Sequence, residues 1–356
     1  MTKTARWKSN PTVALSIPIA LDVSGLDSFA SLLEPDNFDL VKFTEAFVAL
    51  FATPISALLP MRLVGTILPK LSISTNLELI EPLIEEDLPN YNTEFHVDGV
   101  EDGRVAWLVE AENRTSDDPV IFYAHGGGYV FGLFPNFPYL FATIYKWLGN
   151  DRLSILLLDY TLATDGTYPQ QIIEFTLSYN KLAESSVNII IAGDSAGGHL
   201  SLAFVRHQSY KPFEEVPEAV NQKPTGVILL SPWVNLYPQD GVGSYKTNSG
   251  KDILGAPILR HFTEVFLPDK SLYELPKFNP YNDTIDWDSI LPETIFVSKG
   301  ENEVLRDDIT KWTELAELND SEVYESPDAI HDSAIFTPKL SDITPEIVKY
   351  LKSLGY

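Results

Sequence analysis

The 356-residue sequence predicts an α/β protein: a mostly parallel, doubly wound sheet with a helical cap. Three observations carry that expectation. Short, largely apolar runs recur along the chain, among them Val120 to Ala124, Ser154 to Tyr160, Asn188 to Ala192, Gly226 to Leu230 and Thr294 to Ser298. Runs of this length without alternation are typical of strands buried on both faces of a parallel sheet. Helix-compatible stretches separate them, from about Tyr168 to Ala183, from Gly198 to Val205, from Arg306 to Glu317 and from Thr344 to Leu354. Strands alternating with helices imply parallel crossovers, and such sheets carry their sites at the carboxyl ends of the strands.

Composition narrows the function before any motif is read. Fifty acidic residues against 25 basic ones give a net charge of −25. That balance disfavours nucleic acid, which needs a basic surface, and anionic membranes. There is no cysteine, so disulfides, thiolate metal sites and a cysteine nucleophile are excluded. The N-terminus carries Lys3, Arg6 and Lys8 before a mildly apolar stretch, but makes a poor signal peptide. Phe47 to Leu59 is more apolar, yet Pro54 lies inside it and it is too short to span a bilayer.

Taken in order, residues 1 to 90 read as a helical cap segment broken by Pro54, Pro60 and Pro69. From 91 to 356 the pattern is that of the sheet core. Thr93 to Val97 and Arg104 to Val109 alternate, as an antiparallel edge does. Residues 234 to about 290 form a loop-rich, aromatic excursion without a strand of its own. Glu322 to Glu325 is a last short strand.

Two segments carry chemistry. Gly193-Asp194-Ser195-Ala196-Gly197 lies between an apolar strand and a helix, the context in which Gly-x-Ser-x-Gly means a nucleophile on a strained turn. The small flanking residues keep strand and helix apart, and the helix N-terminus favours a nearby oxyanion. His125-Gly126-Gly127-Gly128-Tyr129 follows another buried strand, and its glycines let N–H groups turn into a cavity as an oxyanion hole requires. A phosphate cradle is the other use of such a loop, but neither Gly-Lys-Ser/Thr nor a Gly-x-Gly-x-x-Gly opening a helix is present.

A serine nucleophile needs a base, and this order of elements puts the histidine after the acid. Of the histidines at 96, 125, 199, 207, 261 and 331, only His331 lies past the last buried strand. It is the expected base. His199, just after the elbow, reads as a buried structural histidine, and Asp194 as a packing residue.

Together, His125-Gly126-Gly127-Gly128, Asp159-Tyr160, Gly193 to Gly198 and Leu230-Ser231-Pro232-Trp233 resemble the hormone-sensitive-lipase-type branch of the α/β-hydrolases. The resemblance runs from about 118 to 336. Within it, Asp159 to Leu162 and Gly300 to Asp307 look most like the yeast steryl acetyl hydrolase group. The resemblance implies the α/β-hydrolase fold and a carboxylic-ester hydrolase with no cofactor and no metal. It implies an oxyanion hole of Gly127, Gly128 and Ala196, and a triad of Ser195, His331 and Glu303. Glu303 stands where the family usually has Asp, and Asp307 is its rival. Ala163-Thr164-Asp165-Gly166 also departs from the family's Ala-Pro-Glu turn.

Substrate binding is expected of Tyr129, Phe131 and Trp233, with Phe47, Phe51, Leu58, Tyr245 and Phe262 as further lining. Such a pocket suits a small, uncharged, apolar ester. The resemblance implies short acyl groups, as in acetylated sterols or other acetylated alcohols. Two other readings stand beside it: a serine peptidase of the same fold, and an inactive ligand-binding relative, which would have lost the histidine. An N-terminal membrane anchor is compatible with the esterase reading.

Overall fold

The structure is a computed structural model; it describes residues 31–34, 38–52, 65–66, 68, 70–84 and 87–356. Its centre is an eight-stranded sheet: β1 (Thr93–Glu94), β2 (Val105–Val109), β3 (Val120–Ala124), β4 (Ser154–Leu158), β5 (Ile189–Asp194), β6 (Gly226–Leu230), β7 (Ile295–Gly300) and β8 (Val323–Ser326). The spatial order is β1-β2-β4-β3-β5-β6-β7-β8. β1, β2 and β4 pair antiparallel, and the other neighbours pair parallel. β2 through β7 are buried along their whole length. That burial explains the unbroken Val/Ile/Leu runs, since both faces of a parallel sheet are covered. The exposed β1 and the partly exposed β8 close the two edges.

The helices are α1 (Leu40–Ala52), α2 (Ile73–Ile80), α3 (Asn136–Leu148), α4 (Gln170–Ala183), α5 (Ser195–Tyr210), α6 (Gly243–Thr247), α7 (Ala256–Phe266), α8 (Trp287–Ile290), α9 (Arg306–Leu315), α10 (Ser333–Phe336) and α11 (Ile343–Ser353). α3 and α11 pack together, and α4 packs on α5. α2, begun by Ser72 accepting from the Thr75 N–H at 3.1 Å, lies against α3 and β2. It therefore rests on the core. The excursion from 234 to 290 holds helices where loops were expected. α7 begins with Pro257 in its first turn, where the missing N–H costs nothing, and buries Ile258, Leu259, Phe262 and Phe266 on one side.

Register fixes what meets at the sheet's carboxyl end. Ala124 of β3 pairs with Gly193 of β5. The glycine loop after β3 and the turn after β5 therefore emerge side by side. β6, next in the sheet, ends beside them at Leu230, just before Ser231, and β7 leads toward Glu303.

Candidate active site

The turn after β5 is shaped by contact at single-atom scale. Ser195 has φ +45°, a left-handed backbone unusual for a residue with a side chain. A Cβ at Gly193 would lie 2.3 Å from the Gly197 backbone, and one at Gly197 would lie 2.0 Å from the Ala124 carbonyl oxygen. Only glycine allows β5, α5 and β3 to approach this closely. Ser195 opens α5 and is almost fully buried, while Ala196 occupies the helix's first turn, where backbone N–H groups lack intrahelical partners.

The glycine loop is held from two sides. The Gly126 N–H donates to Asp194 Oδ1 at 2.8 Å, and Tyr123 O–H donates to the same oxygen. On the other side, His125 stacks on Tyr160 with ring centroids 4.3 Å apart, and Nδ1–H of His125 donates to the Gly126 carbonyl at 2.7 Å. The Tyr160 hydroxyl donates to the His125 carbonyl at 2.8 Å, and Asp159 Oδ1 lies 3.2 Å from His125 Nε2. Gly127 and Gly128 take φ +98° and +62°, and both line the cavity above Ser195. Among the described residues their N–H groups meet no acceptor. Asp194 is thus a packing residue, as expected; burial, then the Asp332 charge, raises its pKa well above the carboxylate range.

His331 follows β8 and is buried. Its Nε2 lies 2.9 Å from Ser195 Oγ. Its Nδ1 lies 3.8 Å from Glu303 Oε2, an ion-pair distance longer than a hydrogen bond. Glu303 is fully buried, and its Oε2 accepts from Ser231 Oγ–H at 2.6 Å. Asp307, the rival acid, is engaged elsewhere: it accepts from the Ser244 N–H at 2.8 Å and pairs with Arg306 at 2.9 Å. The structure therefore brings Glu303 to the imidazole and leaves Asp307 on α9.

Two carboxylates near His331 were not singled out from the sequence. Asp252 Oδ1 accepts the His331 N–H at 3.1 Å, its Oδ2 accepts the Val304 N–H at 2.7 Å, and burial pushes its pKa up to about 6. Asp332, with φ +53°, turns its Oδ2 to 3.1 Å from His331 Nε2. Burial alone would lower the His331 pKa. The Asp332 charge, and then Glu303, outweigh it and hold the imidazole well above its ordinary range. Such a group takes a proton readily. With Ser195 in reach of it and free N–H groups nearby, the arrangement can carry acyl transfer through a covalent serine ester.

The cavity over Ser195 is small and almost wholly apolar in lining. Phe131, Trp233, Phe262 and Phe47 line it, together with Phe336 and residues of the 253–259 stretch. Phe47 of α1 meets Phe336 of α10 with centroids 5.9 Å apart. Two expected lining residues lie elsewhere. Tyr129 does not reach the cavity: φ +64° turns it inward, it stacks on Phe266 at 4.0 Å, and its hydroxyl donates to His199 Nδ1 at 2.6 Å. Tyr245 donates to Asp308 at 2.6 Å, beside a separate cavity. The Phe51 side chain and Leu58 fall outside the described residues. His199 is structural: Nε2–H donates to the Phe278 carbonyl at 3.1 Å, and burial lowers its pKa to about 4.

Fold and site together define an α/β-hydrolase. Solved structures with the same architecture include an esterase of the bacterial hormone-sensitive lipase family (TM-score 0.60, 23% identity, 85% of this chain and 98% of that one). A mutant of esterase E40 is similar (TM-score 0.62, 23% identity, 94% and 98%). The profile of the steryl acetyl hydrolase family matches residues 57–355, and the chain belongs to that family. Its relatives include the Schizosaccharomyces pombe protein mug81, whose name assigns it provisionally to the steryl acetyl hydrolases, at 33% identity over 242 residues. The match covers 64% of this chain and 62% of that protein, less than two thirds of its length. An esterase of Acinetobacter venetianus is 28% identical over 219 residues, 60% of this chain and 67% of that one.

Proposed function

We propose that the chain hydrolyses uncharged, apolar carboxylic esters with short acyl groups, acetylated sterols or other acetylated alcohols among them, through an acyl-enzyme on Ser195. The observation that carries this reading is the 2.9 Å approach of Ser195 Oγ to His331 Nε2 at the floor of an apolar cavity. His331 takes the serine proton as Oγ attacks the ester carbonyl. The N–H groups of Gly127, Gly128 and Ala196 receive the oxyanion, a contribution of roughly 2.7–4 kcal/mol per donor in a comparable site. Glu303 orients the imidazole and stabilises its charge. His331 then returns the proton to the leaving alcohol, and water resolves the acyl-enzyme by the same steps. The chemistry calls for no cofactor and no metal.

Phe131, Trp233 and Phe262 form the substrate wall in this reading, and the cap comprises the 1–90 segment with part of 234–290. The family, and the name of the mug81 relative, support acetyl esters of sterol-like alcohols. Hydrolysis of para-nitrophenyl acetate by the chain and by Ser195→Ala tests the chemistry; turnover should vanish in the variant. A panel of acetylated sterols tests the substrate class. Turnover of long-chain esters with none of any acetyl ester would overturn the acyl assignment. Substantial activity in Ser195→Ala would overturn the mechanism.

A further inference from the structure

This inference rests on the ester-hydrolase reading above and concerns its second half. Among the described residues, His331 Nε2 has two polar neighbours: Ser195 Oγ at 2.9 Å and Asp332 Oδ2 at 3.1 Å. Asp332 lines the same cavity, is only 8% exposed, and its Oδ1 meets no donor among the described residues. Its backbone is held in the left-handed region at φ +53°, with its N–H directed to Ser231 Oγ at 3.3 Å. The side chain is therefore aimed, and it is aimed at the reacting nitrogen.

That arrangement suits one moment of the cycle. In the acyl-enzyme, Ser195 Oγ is esterified and donates nothing, and neutral His331 presents a lone pair at Nε2. Lone pair and carboxylate are then two acceptors side by side. A molecule with two O–H donors satisfies both; an alcohol, with one, satisfies only one. We propose that Asp332 is a positioning residue for the hydrolytic water and that it selects water over alcohols as the acyl acceptor. The water oxygen bonds to the acyl carbon as one of its protons passes to His331 Nε2. Its other proton stays hydrogen-bonded to Asp332. Collapse breaks the bond from the acyl carbon to Ser195 Oγ, the acid leaves, and Nε2 returns the proton to Oγ. No proton is transferred to Asp332 in these steps.

The test is pre-steady-state hydrolysis of para-nitrophenyl acetate, with and without methanol, by the full chain and by Asp332→Gly and Asp332→Asn. Glycine takes φ +53° without strain, and asparagine tolerates it. Compared at a pH where His331 is neutral in each, both variants should keep the nitrophenol burst of acylation. Steady-state turnover should fall about tenfold or more in Asp332→Gly, the scale of one charge-assisted hydrogen bond. The ratio of methyl acetate to acetate should rise several-fold, and added formate should restore hydrolysis in Asp332→Gly. Burst and turnover falling together, loss of the burst in both variants, or an unchanged product ratio would each make Asp332 merely structural and overturn the assignment. A wild-type chain without any Ser195-dependent turnover of para-nitrophenyl acetate would instead remove the ester-hydrolase reading on which it rests.

Discussion

Ser231→Ala removes the support of the proposed acid and, with it, the acceptor of the Asp332 N–H. The Ser231 hydroxyl donates to Glu303 Oε2 at 2.6 Å, and Oε1 meets no hydrogen-bond partner among the described residues. Glu303 is fully buried, so water does not replace what is removed. A hydrogen bond to a charged group contributes about 1.5–3 kcal/mol, and deleting one partner leaves the other's desolvation uncompensated. Alanine keeps the Cβ and the backbone at φ +43°, so cavity and strain terms stay small. The expected loss of stability is therefore about 1.5–3 kcal/mol, read by denaturant unfolding with an unchanged m-value. Activity should fall as well. Glu303 lies 3.8 Å from His331 Nδ1, and a carboxylate freed from Ser231 no longer has its orientation fixed toward that nitrogen. A fall of about tenfold or more in kcat, with KM little changed, is the expected kinetic signature. Wild-type stability together with wild-type kcat in Ser231→Ala would refute the argument, because it would mean that neither the buried carboxylate nor the imidazole depends on this hydroxyl.

Three other outcomes follow from the same geometry. Glu303→Gln should depress kcat strongly while Asp307→Asn leaves it near normal; the reverse pattern, in the same ester assay, would move the acid to α9. The base works only when His331 is neutral, and its pKa is raised by Asp332 and Glu303 against the effect of burial, with Asp194 and Asp252 as further carboxyls close by. The acid limb of kcat/KM should therefore lie above the ordinary histidine value of 6.5, activity rising as pH rises through it; a midpoint at or below 6.5 would contradict this. Gly197→Ala drives a methyl to 2.0 Å from the Ala124 carbonyl oxygen, worse than ordinary overpacking, so a loss of at least about 3 kcal/mol is expected by thermal or denaturant unfolding.

Much of this site was legible because its parts sit in stretches with a single physical reading. The buried strands read directly from their unbroken apolar runs, and the glycine spacing around Ser195 reads as close approach of strand and helix. His331 followed from chain order. The choice between Glu303 and Asp307 did not follow from spacing alone, since both stand just after β7 and only packing shows which carboxylate turns inward. Asp332 escaped notice because an Asp after a His is ordinary surface sequence; a left-handed φ, not readable from neighbours, returns its side chain to the cavity. The same backbone feature explains Tyr129. Its place after three glycines points to the cavity, but φ +64° turns the ring to His199 and Phe266. Asp252 lies 79 residues from the histidine whose N–H it accepts, a separation that sequence pattern does not bridge.

The sheet order has a consequence for how the site comes apart. Ser195 and the glycine loop grow from β5 and β3, adjacent and fully buried strands locked in register, whereas His331 follows β8, the partly exposed strand at the edge. Local opening in proteins begins where burial is shallow and reaches the central ladder last. Fraying from the β8 edge would withdraw His331 while Ser195 and the glycine loop stay assembled. On the proposed mechanism the chain would keep its acyl-binding cradle and lose its proton acceptor first, so that moderate stress would silence it before dismantling it.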